Sequence, residues 1–306
     1  MANTFAPNGF SQYSGTGTTP SYEQVSAAVS SANTTPIFFG DPVVQATGTT
    51  GLGTGYITQA PITPPTLAIS GFALSNGIVT ATFTTTTAPP VGATLVLTGL
   101  TTATTLNGAW TILSSSTTTA TFAYSGGALS TQAATGYVYT PIAGIFVGCK
   151  YLSTAQKRTV WSNYWPGSDA NGDVTAYIVN DPNANFSVQT ANSNTTATAV
   201  GLSAVGQNIG FNWNDSTATG ETNGNTATGL STYFADQYTL TANSAAGAVS
   251  NAYLPFRVVG VQNYVVGGTS PIASSSIGNN TDPTLGYNRI IVAFNNAMPN
   301  RPGAGI

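Results

Sequence analysis

Histidine is absent from this 306-residue sequence, cysteine occurs once, and six basic and nine acidic side chains are all the charge it carries. Without histidine there is no Ser/His/Asp or Cys/His catalytic machinery. The common zinc ligand sets lose both their imidazoles and their paired thiolates. The lone Cys149 cannot form an intrachain disulfide, which fits synthesis in a reducing cytoplasm. Six dispersed cations cannot build the basic track that a phosphate backbone requires, so no nucleic-acid partner is expected. Prolines, glycines and threonines interrupt every apolar stretch well short of ~20 residues, so no membrane span is expected either. The opening Met1-Ala2-Asn3-Thr4-Phe5 has neither the basic nor the apolar region of a signal peptide.

Charged residues make up 5% of the chain, where an ordinary soluble domain has roughly a quarter. Thr, Ser, Asn and Gln take over the contact with water through hydroxyls and amides. The charge is also unevenly placed, with no Asp, Glu, Lys or Arg between Asp41 and Lys150. A chain with a net charge of only −3 is weakly repelled by its own copies, which favours dense, repetitive assembly.

What is present reads as all-β. Residues 1–35 are polar and read as a loosely structured N-terminal arm, or as an arm with one short helix capped by Ser21, with Gln24 at the capping-box position and Val25, Ala28 and Val29 on one face. From Pro36, two short apolar runs meet at the Gly40-Asp41-Pro42 turn. Pro61-Ile62-Thr63-Pro64-Pro65 then forms a stiff junction that reads as a domain boundary.

Residues 66–140 offer six strand candidates, at Leu67–Phe72, Ile78–Thr84, Ala93–Thr98, Trp110–Leu113, Thr119–Tyr124 and Gly136–Thr140. Asn76-Gly77 between the first two is a hairpin signal, because both residues tolerate positive φ. Val79, Ala81 and Phe83 alternate with threonines, the pattern of a half-buried strand. After Pro141, buried-strand candidates follow at Ala143–Cys149, Thr159–Trp161, Val174–Val179, Leu254–Val261 and Arg289–Phe294. The Asn/Thr/Ala/Gly tract 190–250 reads as mostly loop, broken by Val205–Trp213 and a short helix at Leu230–Ala235. The tail from Met298 to Gly303 should run extended, because of Pro299 and Pro302. The expected fold is thus a β-barrel or sandwich base (36–61 and 141–296) with an inserted small immunoglobulin-like β-sandwich (62–140), an N-terminal arm (1–35) and a C-terminal tail (297–306).

Among candidate sites, Asp169, Asn171 and Asp173 place oxygen ligands at alternate positions, as the first turn of an EF-hand loop does. The glycine and the twelfth-position ligand of that loop are missing, so a solvated turn is the preferred reading and no metal is expected. Nothing in the spacing of Asp169, Asp173 and Asp181 marks a glycosidase acid and nucleophile. Cys149, next to Lys150, reads as an activated thiol or as a small buried hydrophobe. The segment Trp161-Ser162-Asn163-Tyr164-Trp165-Pro166-Gly167 reads as an aromatic binding or interface segment, or as core and turn packing. Lys150, Lys157 and Arg158, half of all the cations, form a polar hairpin end that pairs with acidic groups of a partner or faces solvent. No cofactor is expected and no enzymatic role is read.

The residues also resemble a family. Ile145–Tyr151, Val160–Gly167 and Asn180–Gln189 are similar to segments of the head-associated structural proteins of tailed bacteriophages. Val205-Gly206-Gln207-Asn208, Pro255–Gly260 and Tyr287-Asn288-Arg289 continue the likeness in the same order. It spans roughly 36–60 and 141–296. The insertion, through Leu97-Thr98-Gly99-Leu100 and Leu106-Asn107-Gly108, resembles the immunoglobulin-like modules of phage virion proteins. The resemblance implies a capsid decoration (cement) protein, placed on the outer surface of the head and assembled in the host cytoplasm. Its partners would be the major capsid protein and copies of itself, a homotrimer as first expectation and a dimer as second. A cement protein binds the assembled lattice and not loose subunits, so its binding free energy adds to shell stability. On that reading the base contacts the lattice and the insertion projects outward. Capsid or oligomer contacts are expected at Lys150, Lys157, Arg158, Trp161, Tyr164, Trp165, Arg257 and Arg289. The alternative is a host-surface or glycan-binding virion protein of the tail or fibre, using the inserted domain.

Overall fold

A computed structural model describes residues 3–15, 24–46, 55–62, 66–85, 88–217, 222–240, 251–262 and 283–297. The described chain is almost entirely β. Its strands are, in order, β1 (Ser11–Ser14), β2 (Gln24–Val29), β3 (Pro42–Gln45), β4 (Ile57–Gln59), β5 (Thr66–Ser75), β6 (Ile78–Phe83) and β7 (Thr94–Thr98). There follow β8 (Gly108–Thr111), β9 (Ser114–Ser115), β10 (Thr119–Ala123), β11 (Ala134–Tyr139), β12 (Ile142–Leu152), β13 (Thr159–Ser162) and β14 (Val174–Val179). The last are β15 (Asn185–Ala191), β16 (Asn208–Asn212), β17 (Gly224–Asn225), β18 (Leu230–Ser231), β19 (Phe234–Asp236), β20 (Phe256–Val261) and β21 (Arg289–Phe294).

Strands β5 to β11 form one sheet in the order β8-β7-β11-β5-β6-β10-β9. Its two ends, β8 and β9, are consecutive pieces of one segment, so the sheet closes on itself around a core that includes Val79, Phe83, Leu95, Leu97 and Phe122. Each such side chain taken fully out of water contributes about 1.5–3 kcal/mol. The β5–β6 turn is made by Asn76 (φ 49°) and Gly77 (φ 74°), the two positive-φ positions of a type I′ hairpin. Along β6, Val79, Ala81 and Phe83 are buried while Thr82 is exposed, because successive residues of a strand face opposite sides.

The rest of the described chain builds two larger sheets and the short β17–β18 pair. In the first larger sheet, β15, β19, β16, β20 and β21 pair in sequence and β21 returns to β15, so five strands close into a barrel, with β1 added beside β15. Aromatics fill it: Phe10, Phe186, Phe211, Tyr233, Phe256 and Phe294 share one core, and Phe10 stacks on Phe256 at 4.3 Å. The second sheet runs β2-β14-β12-β3-β4, with β13 also on β12. A single bridge, Ala28 to Tyr56, brings its two edges together around a second core. Strand β12 serves both. Ile142 and Ile145 enter the barrel core, whereas Phe146, Cys149 and Tyr151 enter the second, and this double burial explains its nearly continuous apolar sequence. Its bulges, one of them at Gly148 (φ 143°), re-aim side chains along the strand.

Two readings are corrected. The segment expected to be a loose or helical arm contributes β1 and β2. Residues Gln24–Val29 pair in full with Val174–Val179, and Phe10 and Val29 are buried. The helical reading fails because sheet hydrogen bonds to a distant strand outweigh a weak local preference; Ser21 lies outside the described residues. The helix expected at Leu230–Ala235 is instead β18 and β19, held by pairing with β17, β15 and β16. In the described parts of the tract 190–250, buried polar side chains do what regular structure does elsewhere. Asn288 holds Val200 by accepting its N–H (3.0 Å) and donating to its carbonyl (2.9 Å), and Gln237 donates to the Thr198 carbonyl (2.6 Å). Residues 63–65 of the proline junction and 298–306 of the tail lie outside the described residues; Ala297 is buried and bridges Ile142.

Candidate functional site

The β12–β13 hairpin carries half the cations of the chain, and its register sets Lys150 opposite Trp161. Its tip is built around one carboxylate. Asp169 accepts hydrogen bonds from Ser153 Oγ (2.6 Å), Thr154 Oγ1 (2.8 Å) and the Ala155 N–H (2.8 Å), which hold its pKa below the usual carboxylate value. This fixes the turn from which Lys157 and Arg158 project, both exposed. Asp173 is engaged elsewhere, accepting from Tyr56 Oη (2.6 Å) and the Ser31 N–H (3.4 Å). The Asn171 N–H donates to the Leu152 carbonyl (2.8 Å). Asp169 and Asp173 thus hold two different junctions of the second sheet. Among the described residues, no group of three or more Cys, Asp or Glu side chains gathers as metal ligands would.

Trp161 is 67% exposed, the largest exposure of any described large hydrophobic side chain. Its ring lies parallel to that of Tyr177 on β14, with centroids 5.8 Å apart and 9° between planes. Lys150 Nζ sits 5.2 Å from the Trp161 ring centroid. A cation at this distance is attracted by the negative face of the indole, by about 0.5–1 kcal/mol at an exposed position. Three strands therefore present one flat aromatic surface with a fixed ammonium group beside it and two further cations at the hairpin tip. Such a surface suits a partner that offers an apolar patch next to carboxylates.

The remaining expected contact residues separate. Tyr164 is half-buried and stacks on Phe38 (5.5 Å, 4°). Trp165 is fully buried in the second core; its indole meets Tyr151 edge-on and donates from Nε1 to the Asn33 carbonyl (3.1 Å). It is thus a core residue and not a contact residue, because the chain turns inward after Ser162 and bridges Ile37 at this point. Arg257, exposed on β20, reaches Asn208 Oδ1 (3.4 Å), while Arg289 on β21 donates to Asn8 Oδ1 (2.6 Å) and ties the N-terminal segment to the barrel. Both belong to the barrel and not to the hairpin.

Two buried groups complete the electrostatics. Cys149 faces the second core, donates weakly to the Tyr164 carbonyl (3.4 Å), and has its pKa pushed up to about 12 by burial, the opposite of an activated thiol. Asp41 is fully buried at the meeting of both sheets. It accepts from the Phe38 N–H (2.8 Å) and Gln59 Nε2 (2.7 Å), yet burial raises its pKa to about 7. Sequence reasoning missed Tyr177 and Asp41. The first was legible, since inward-facing Val174, Ala176 and Ile178 send Tyr177 outward; the burial of an aspartate in a Gly-Asp-Pro turn has no local signal.

Comparison of the chain with protein-family models, curated proteins and solved structures finds no match in any of the three. Among the described residues, no helix is long and apolar enough to cross a membrane.

Proposed function

We propose that the chain is a structural protein of a tailed-phage particle that decorates and cements the outside of the assembled head, with the β12–β13 hairpin as its lattice contact. The observation that carries this reading is the solvent-facing Trp161, held flat by Tyr177 and Lys150. An exposed indole in a fixed orientation is a typical anchor of a protein interface, and nothing else about it calls for its exposure. The ordered segments that resemble phage head proteins support the reading, and they lie on or beside β12, β13, β15, β16, β20 and β21. The near absence of charge supports it as well, since closely spaced copies then repel weakly. The role needs no catalysis and no cofactor, only affinity repeated at every symmetry-related site. The insertion projects away from the lattice, and the oligomer is a trimer first and a dimer second.

Co-sedimentation tests it. The purified chain should pellet with empty expanded capsids of its phage, and Trp161→Ala should leave most of it in the supernatant. Absence of the wild-type chain from the capsid pellet would remove the cement role.

A further inference from the structure

Where the insertion meets the barrel, a cleft of about 370 Å³ opens beside the small buried cluster of Val96, Tyr139 and Leu254 that joins the two modules. Its volume is within the roughly 300–1,000 Å³ of small-molecule sites, which recur at junctions of this kind. Among the described residues, four tyrosines line it, Tyr137 and Tyr139 from β11 and Tyr238 and Tyr253 from the barrel side, with Tyr139 and Tyr253 ring centroids 6.1 Å apart.

Its electrostatics are equally specific. Among the described residues, no Lys or Arg lines the cleft, and the one carboxylate, Asp236, is committed to the wall. Asp236 accepts from the Ser193 N–H (3.1 Å), Ser193 Oγ (2.7 Å) and the Tyr238 N–H (3.1 Å), and the Asn212 side chain adds a further bond. A charged ligand therefore finds no counter-ion among the described lining residues. The hydroxyls of Thr98, Tyr137, Thr140 and Tyr253 have no hydrogen-bond partner among the described residues, so the cleft offers aromatic faces beside unspent hydroxyls. A neutral sugar ring matches both, with an apolar C–H face for the tyrosine rings and hydroxyls around its edge.

We infer that this cleft binds a neutral hexose or hexosamine unit of a glycan, stacked on tyrosine. The site is independent of the β12–β13 hairpin, and its occupancy does not depend on head attachment.

The test is an NMR titration of the intact chain, labelled on tyrosine rings, with lactose, maltose and N,N′-diacetylchitobiose, and with sialyllactose as the charged comparison. At least one neutral sugar should give saturable, millimolar shifts confined to Tyr137, Tyr139, Tyr238 and Tyr253, and sialyllactose should bind no tighter than lactose. Tyr253→Ala should weaken binding by about tenfold, the loss of one aromatic contact. Tyr137→Phe, which keeps the ring and removes only a hydroxyl, should weaken it severalfold and serves if Tyr253→Ala does not fold. Trp161→Ala should bind as the wild type does. The proposal is overturned if no neutral sugar shifts the four tyrosines, or if the tyrosine variants bind undiminished. It is equally overturned if a proline-rich peptide produces the shifts and the sugars do not.

Discussion

Trp161 and Tyr177 stack in parallel across β12, their ring centroids 5.8 Å apart although they belong to strands on opposite edges of it. The contact orients the indole without burying it, and Trp161 remains 67% exposed. Stability and binding should therefore separate at this residue. Trp161→Ala is expected to change unfolding free energy by no more than about 1 kcal/mol while weakening attachment at least about tenfold. Paired urea melts and co-sedimentation check this; a variant that loses stability and binding together would make Trp161 a structural residue.

Trp165, four positions on, should behave in the opposite way. It is fully buried against Tyr151 and donates to the Asn33 carbonyl, so Trp165→Ala should cost about 3–5 kcal/mol. Trp165→Phe keeps much of the apolar volume but leaves the Asn33 carbonyl without this donor, at a smaller cost of about 1–3 kcal/mol. Chemical denaturation of the two variants gives the order directly.

Asp41 predicts a pH dependence. Its pKa of about 7 in the folded chain lies above the ordinary value of 3.8, so the folded state holds its proton over a range in which the unfolded state has lost it. Stability contributed by this group is thus complete at low pH, falls as pH rises from about 4 to 7, and levels off above that, by on the order of 4 kcal/mol in total. Asp41→Asn cannot ionise and should flatten the slope, whatever it does to absolute stability. Unfolding free energies at several pH values between 4 and 8 test the point, and parallel curves for the two proteins would refute it.

Cys149 supplies a probe of opening. Its thiol is buried and its pKa is pushed up to about 12, so an aqueous thiol reagent should label the folded chain far more slowly than the unfolded one. The labelling rate should rise with urea in step with unfolding. Rapid labelling of the folded chain would show that the second core opens locally.

The strands of the insertion were legible because their information is local. Asn76-Gly77 names its own turn, and the alternation from Val79 to Phe83 names its own buried face. The same reasoning failed at Gln24–Val29, where only Val29 is fully buried and the strand exists through its pairing with β14, about 150 residues away in sequence. It failed at Trp165 for a related reason. The segment's composition announces an aromatic site, but which ring faces solvent depends on where the chain turns inward to meet Ile37. Lys150 and Trp161 were each visible as candidates. Their pairing, with Tyr177 as third member, needed the register of three strands.

The most direct test of the head-decoration proposal is an electron cryomicroscopy map of the phage particle that carries this chain. The account predicts copies on the order of hundreds per particle on the outer face of the head, related by its symmetry. In each copy the β12–β13 hairpin should meet the major capsid protein and the insertion should point outward. A handful of copies at the tail, or a head surface contacted by the insertion while Trp161 faces solvent, would contradict it.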